Sequence, residues 1–451
     1  MDIKHLTSIF KSKDPRNRAL RNNILLTGIL KIVSLISSFL IVPITLHYLN
    51  NEIYGVWLTI TSILFWFSIF DVGLGNGMRN YLTQSISSNQ MEKGRAYIST
   101  TLILLTIIAI TVGVLCIIPF CLVDFNKVFN TGVLSNIELG NALAIAVCFT
   151  LARLVVNNVG TVFIALQKYA LNDLLATLGN VLGLVFIYVI TKTTTPGNLL
   201  YVVFALTATP VMVYIAAAFP IFIKYPQLKP GLSYFDHTLI KQVAGKGLGF
   251  FLIQMTSCLV IYGGSNIFIT QYCGPAAVTT YNIAYKFFNL LIIAYTIVLS
   301  PLWNAYTDAF VKGDTAWITS TFSRTLKIWG LTFALGGLML VCSNLFYHLW
   351  VGKSVTVPWT VSLCVWLYVS LFNLNNCATY LINGLNKIYI QVLTSVLLTA
   401  AYLLVVFFTG KRLGIEGVVL CMAGSYLVMV IFHIYQCRLL INGKATGIWN
   451  K

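Results

Sequence analysis

The chain is short of charge: only 9% of its 451 residues are Asp, Glu, Lys or Arg. Soluble domains carry about 25%, so an ordinary water-soluble fold is excluded. Acid is scarcest, with 12 carboxylates against 29 Lys and Arg. No long apolar segment has an Asp or Glu at its centre: Asp71, Asp173 and Asp308 fall at inner ends, Glu52, Asp124, Glu138 and Glu416 at outer ones. An exporter of organic cations is expected to keep a membrane-embedded carboxylate as its binding and coupling site. The ten cysteines include no CxxC pair, and no His/Cys cluster has metal-ligand spacing, which removes thiolate metal sites and redox motifs. Cys116, Cys148, Cys258 and Cys364 read as small buried hydrophobes, and the five histidines are scattered. The glycines of Asp71-Val72-Gly73-Leu74-Gly75-Asn76-Gly77-Met78-Arg79-Asn80 precede no GK[ST] and follow an apolar segment rather than a strand. A nucleotide loop is therefore excluded, and no soluble domain interrupts the chain.

What is present is apolar surface: 58% hydrophobic residues and a mean hydropathy of +0.84. A spanning helix needs about 20 apolar residues, at 1.5 Å each across about 30 Å of hydrocarbon. Twelve segments qualify, at 24–49, 53–72, 98–123, 139–165, 170–191, 199–223, 248–270, 278–300, 325–346, 359–381, 389–409 and 415–437. The fold class is an all-α integral membrane protein. The first segment is too long, and lacks the small-residue cleavage site, to be a removable signal peptide.

The net charge of +17 is explained by where it sits. With both termini inside, 21 of the 29 basic residues fall in inner segments and five in outer loops (Lys127, Lys192, Lys353, Lys411 and Arg412). That is positive-inside topology, and it needs no nucleic acid. The remaining three, Lys31, Arg153 and Lys286, lie inside apolar segments. A charge at the bilayer centre costs about 2.5 to 17 kcal/mol depending on the scale. Lys31 is about 12 Å from the inner boundary of its segment, Lys286 a similar depth from the outer side of its own, and Arg153 about 21 Å from the outer boundary. Snorkelling lifts a basic head group only a few ångströms, so the three cannot all be end anchors. Each can instead bond backbone carbonyls or an Asn or Tyr of its own lobe, and Asn157 and Asn158 are at hand for Arg153. Otherwise the three cations line a wet cavity suited to an anion.

The longest interior polar stretch, 224–247, falls at the midpoint. It divides the chain into a cytoplasmic amphipathic segment (1–23), an N-lobe of six helices (24–223), a cytoplasmic linker (224–247), a C-lobe of six helices (248–437) and a tail (438–451). Leu166-Gln167-Lys168-Tyr169 after segment four matches Leu385-Asn386-Lys387-Ile388 after segment ten, and Asn76 matches Asn304. Six helices per half keep the halves in one orientation, the parallel-repeat plan of transporters. In residues 2–13, Ile3, Leu6, Ile9 and Phe10 alternate with Lys4, Lys11 and Lys13 at helical spacing, as in a helix lying on the inner leaflet or, equally, a solvated tail. The alternating glycines at 73, 75 and 77 are expected to unwind the inner end of segment two and admit a neighbouring backbone or ligand. Arg79 then stands at the inner mouth, as a phosphate contact or as an anchor. Pro43, Gly263 and Gly264 are the expected hinges, and the aromatics at segment ends, such as Tyr48, Trp57, Trp350 and Tyr389, read as interfacial belts.

Two stretches resemble bacterial polysaccharide flippases, the O-antigen and capsule branch of the multidrug/oligosaccharidyl-lipid/polysaccharide exporter superfamily. They are Asn51-Glu52-Ile53-Tyr54-Gly55-Val56-Trp57 and Phe70-Asp71-Val72-Gly73-Leu74-Gly75-Asn76-Gly77-Met78-Arg79-Asn80. Gly274-Pro275-Ala276-Ala277-Val278, followed by Tyr281-Asn282-Ile283-Ala284-Tyr285-Lys286, resembles the superfamily's second-lobe turn and helix. The resemblance implies two pseudo-symmetric six-helix lobes in a V, with a cavity lined by helices one, two, seven and eight. It implies translocation of undecaprenyl-diphosphate-linked oligosaccharide repeat units across the bacterial inner membrane by alternating access. Lys31, Lys286 and Arg153 would then neutralise the diphosphate, and Arg79 would assist at entry. No cofactor is implied beyond a coupling ion, H+ or Na+. The partners implied are the lipid-linked oligosaccharide, membrane lipids, and polymerase and chain-length proteins of the same pathway. The competing readings are a cation-coupled multidrug antiporter of the same superfamily and a membrane polysaccharide polymerase or glycosyltransferase.

Overall fold

A computed structural model describes residues 15–68, 71, 74–244 and 264–451. The amphipathic reading of residues 2–13, most of segment seven and the expected hinge Gly263 lie outside the described residues. Among those described, helix is the only regular structure, and nine helices are long and apolar enough to cross a membrane. One of them, Tyr389–Ile441, is two expected segments run together, broken where Gly414 takes φ 64° and ψ −148°. With the 18-residue helix Asn51–Ser68, eleven of the twelve segments are helical among the described residues, and of segment seven only the end, in Ser265–Cys273, is described.

Two compact units divide the chain, Asp2–Phe251 and Leu252–Lys451. The first contains α1 (Pro15–Leu49), α2 (Asn51–Ser68), α3 (Leu74–Ser87), α4 (Met91–Leu122), α5 (Phe125–Phe129), α6 (Asn136–Val156), α7 (Asn158–Ala165), α8 (Tyr169–Thr193), α9 (Leu199–Lys224) and α10 (Ile240–Ala244). The second contains α11 (Ser265–Cys273), α12 (Pro275–Leu299), α13 (Leu302–Val311), α14 (Thr315–Val351), α15 (Trp359–Gly384) and α16 (Tyr389–Ile441). Local chemistry sets the joints. Asn50, at φ 71°, ends α1 in the left-handed conformation, and its Oδ1 accepts from the N–H groups of Glu52 and Ile53 to cap α2. One residue thereby closes one helix and opens the next.

Each unit packs its helices in the same order. In the first, α2 and α4 lie on α6, α1 on α8, and α3 against α4 and α7; in the second, α12 and α14 lie on α15, α11 on α16, and α13 against α14 and α15. The matched inner turns have the same backbone geometry. Gln167 (φ 61°) donates to Ile164 O and Lys168 to Phe163 O, at 2.9 and 2.8 Å; Asn386 (φ 56°) donates to Asn383 O and Lys387 to Ile382 O, both at 3.1 Å. Both are Schellman motifs. The same motif ends α3 at Asn89 and α13 at Gly313, so the internal repeat is present in backbone conformation as well as in sequence.

Several elements extend beyond their apolar segments. α14 runs 37 residues, about 55 Å at 1.5 Å each, and carries exposed Arg324 and Lys327 in its N-terminal half. Its exposed Leu331, Leu335, Leu338, Val341, Leu345 and Leu349 form one apolar face. In lipid this face needs no partner, and helix association rests on close packing and interhelical hydrogen bonds. Such bonds are present: Thr177 Oγ1 donates to Leu30 O at 3.2 Å and Asn180 Nδ2 to Ser34 Oγ at 2.7 Å, joining α8 to α1.

The stretch read as a linker is docked on the first unit. Asp236 N–H donates to Thr100 Oγ1 at 3.0 Å, Gly231 N–H to Ser99 Oγ at 3.2 Å, and Tyr97 OH to Gln242 Oε1 at 2.7 Å. Of the glycines expected to unwind the end of segment two, Gly75 and Gly77 are helical residues of α3, while Val72 and Gly73 lie outside the described residues. Their smallness serves approach instead. A Cβ on Gly77 would collide with the Val243 carbonyl of α10, and one on Gly75 would lie 2.9 Å from Asn158 Oδ1.

Candidate functional site

The four cations singled out from sequence occupy different surroundings. Arg153 stands in the last turn of α6, where a basic side chain complements the helix dipole. Directly after it the helix is interrupted for one residue. Asn157 N–H closes back on Arg153 O at 2.9 Å, Gly160 N–H on Asn157 O at 3.0 Å, and α7 begins at Asn158. The polar side chains of this stretch, Thr150, Arg153, Asn157 and Thr161, recur at helical spacing and line one cavity of about 620 Å³ within the first unit. Trp57 and Phe65 of α2 and Phe149 of α6 supply aromatic surface, and Thr207 of α9 a further hydroxyl.

Asp71 lines the same cavity. Its carboxylate accepts from Gly75 N–H at 3.3 Å, at the start of α3, where a negative group is favoured. Arg153 and Asp71 face one cavity without pairing with each other. Asn158, a candidate partner for Arg153, donates instead to Leu154 O at 3.1 Å.

Lys31 and Arg79 do not line this cavity. Lys31 is exposed on α1 and sits 18 residues before the helix ends at Leu49, about 27 Å. Arg79 is exposed on α3. In the second unit Lys286 is half-buried on α12, eleven residues or about 16 Å from Pro275, close to the middle of that helix. Pro43 lies within α1, which continues through it, and Gly264 has helical dihedrals immediately before α11. Sequence reasoning took Arg153 from the α6–α7 stripe, with Asn157 and Asn158 only as partners that could satisfy it. It passed over Thr150 and Thr161, although their spacing of three and four was readable.

No family model matches the chain. It is 24% identical over 404 residues to a "Putative O-antigen transporter" of Salmonella typhimurium, covering 85% of this chain and 88% of that one. It is 25% identical over 289 residues to a "Putative O-antigen export protein" of Yersinia pseudotuberculosis. That match covers 62% of this chain and spans 64%, under two thirds, of the Yersinia protein. Among solved structures, an inward-facing multidrug resistance MATE family transporter of the MOP superfamily superposes with a TM-score of 0.75. The likeness covers 92% of this chain and 95% of that one at 16% identity. A MOP superfamily transporter from Pyrococcus furiosus superposes at 0.66, over 98% of each chain and at 15% identity. The chain is a multi-pass α-helical membrane protein with the fold of the MOP superfamily transporters, and it is similar in sequence to proteins named for O-antigen export.

Proposed function

We propose that this chain is a flippase that carries undecaprenyl-diphosphate-linked oligosaccharide repeat units from the inner to the outer leaflet of the bacterial inner membrane. Both termini are cytoplasmic in this reading, as the positive-inside bias requires. The observation that carries it is the cavity around Arg153. A guanidinium forks onto phosphate or sugar hydroxyls, Asn157 and Thr161 add hydroxyl-directed polar groups, and Trp57, Phe65 and Phe149 offer faces on which sugar C–H groups stack. Such a lining is amphiphilic in the way a glycan is. Lys31 and Lys286 supply one further cation in each unit for the diphosphate, and Arg79 meets it at entry. Alternating access coupled to an ion gradient then moves the head group while the lipid tail stays in the bilayer. Polymerase and chain-length proteins of the same pathway are the partners of this reading.

The test is to neutralise Lys31, Arg153 and Lys286 to Gln, singly and together, and to measure repeat-unit translocation in a strain that depends on this chain. The triple variant should lose at least tenfold at equal expression; wild-type translocation would remove the cationic site. One observation favours a second reading, the cation-coupled multidrug antiporter: a carboxylate, Asp71, does line the cavity. Its bond from the Gly75 N–H gives it a structural use already. Loss of drug resistance in Asp71→Asn, with glycan export intact, would reverse the ranking.

A further inference from the structure

A histidine that the sequence leaves without a role is buried in the second unit at the centre of a polar triad. His433 of α16 is 1% exposed. Its Nδ1 lies 2.7 Å from Asn375 Oδ1 of α15, and its Nε2 lies 2.9 Å from Thr394 Oγ1 in the first half of α16. An amide oxygen only accepts, so Nδ1 carries a hydrogen and donates to it. At Nε2 two arrangements are open. Thr394 has one hydroxyl hydrogen and three acceptors for it: Nε2 itself, the Ile390 carbonyl at 2.8 Å and the Gln391 carbonyl at 3.2 Å.

With neutral imidazole, the Thr394 hydroxyl donates to Nε2. When a proton arrives from water, an N–H bond forms at Nε2 and donates to Thr394 Oγ1. The hydroxyl hydrogen turns to Ile390 O, and no other bond breaks. The heavy atoms serve both states without moving. A histidine kept only for packing needs one tautomer and one set of partners; this one has partners for zero and for one added proton. One turn before Thr394, Gln391 Oε1 is buried with no hydrogen-bond partner among the described residues. It is an open acceptor between the triad and the start of α16 at Tyr389, which is five residues or about 8 Å from Thr394.

The titratable groups on the surrounding elements leave the charge to His433. On α15, Cys377 contacts Thr325 Oγ1 at 3.1 Å, and Tyr380 is part of an apolar cluster. On α16, Cys437 donates to Ala378 O, and Arg438 is exposed. Lys387 donates to Asn450 O at 2.9 Å. Arg324 and Lys327 of α14 are exposed. Tyr272 and Cys273 of α11 lie against Gly410 and Gly414, towards the far end of the first half of α16. α15 has no Asp or Glu, and the single one of α16, Glu416, accepts from Thr360.

We propose that the His433–Asn375–Thr394 triad is a proton-binding site and, resting on the transport reading above, that it couples translocation to a proton gradient. Burying an uncompensated imidazolium is unfavourable, so the protonated form favours an arrangement of the second unit in which the triad meets water. That preference is the differential needed to shift a two-state equilibrium.

The experiment uses the full chain, labelled with ¹⁵N-histidine, in lipid nanodiscs. With five histidines, the His433 signal is assigned by its loss in His433→Gln. If that variant does not fold, substitution of His5, His47, His237 and His348 in turn assigns it by elimination. His433 should pass from the Nδ1–H neutral tautomer to the doubly protonated form within a titration run from pH 8 down to pH 3, since burial disfavours the imidazolium. Thr394→Val, which removes the acceptor for Nε2–H, should weaken proton binding about tenfold. A single protonation state across the range, or an unchanged midpoint in Thr394→Val, would overturn the site. The titration needs no cargo, so it stands or falls apart from the flippase reading. In proteoliposomes, repeat-unit translocation accelerated by a pH gradient in the wild type and indifferent to it in His433→Gln supports the coupling. Equal acceleration in both rejects it.

Discussion

A methyl group at Gly77 would strike the main-chain carbonyl of Val243, a neighbour that has no side-chain freedom with which to yield. α10 would have to move off α3, and the cluster joining Leu74, Tyr97, Leu105, Leu239 and Val243 would open with it. Gly77→Ala should therefore destabilise the protein by about 1–3 kcal/mol. Gly330→Ala, in the middle of α14 with nothing within 4 Å of the added atom, should hold or raise stability, as helix propensity alone dictates. Thermal unfolding in detergent separates them, and equal midpoints would contradict the packing argument. The glycines were conspicuous in the sequence, but alternation at 73, 75 and 77 has the same appearance in an unwound turn and in a helix pressed against a neighbour. The partner that decides between them lies more than 160 residues away. Arg153 was legible as a charge in apolar surroundings. Asp71 was visible only as a helix-end acid, because its place beside the Arg153 cavity depends on how α2, α3 and α6 meet.

At the scale of elements, the turns between helices preserve the internal repeat better than the helices do. Gln167 and Asn386 hold corresponding left-handed positions after α7 and α15, where any residue with a Cβ pays a conformational cost that glycine avoids. Asn tolerates this conformation better than Gln. Gln167→Gly should accordingly stabilise the protein by about 1 kcal/mol and Asn386→Gly by a few tenths, with the ranking read from thermal midpoints. A loss of stability in Gln167→Gly would mean that its side chain matters more than its backbone. Twelve apolar runs and the matching Leu-x-Lys turns were readable from residue type alone. The inner helices α3 and α13 were not, since 14 and 10 residues of mixed polarity have no run long enough to register as a span. The N-terminal extensions of α4 and α14 escaped for the same reason: hydropathy reports where lipid ends, and a helix continues in water wherever propensity and neighbours allow.

For the whole molecule, the division into two units and the placement of the mid-chain polar stretch within the first of them carry different consequences. Residues 224–247 read as a linker by composition, yet Asp236, Gly231 and Gln242 hydrogen-bond to α4, and Val243 and Leu239 bury themselves beside Tyr97 and Leu105. Hydrogen bonds from three separate points and an apolar patch make this stretch a covering for the inner ends of α3 and α4, and polar composition cannot distinguish a covering from a tether. The site of a tolerated break is therefore expected after α10. Two co-expressed fragments, 1–246 and 247–451, should both accumulate in the membrane and restore glycan export in a dependent strain to within about twofold of the intact chain, because the first fragment keeps Gly231, Asp236, Gln242 and Val243 with the helices they cover. A cut after Lys224 transfers the covering to the other fragment and leaves Tyr97, Leu105 and the Gly77 face to be covered only by reassociation. That first fragment should be proteolysed, and export should fall by tenfold or more. Immunoblots of each fragment alongside the export assay read both effects, and equal accumulation for the two cut sites would show that 225–244 is a tether after all.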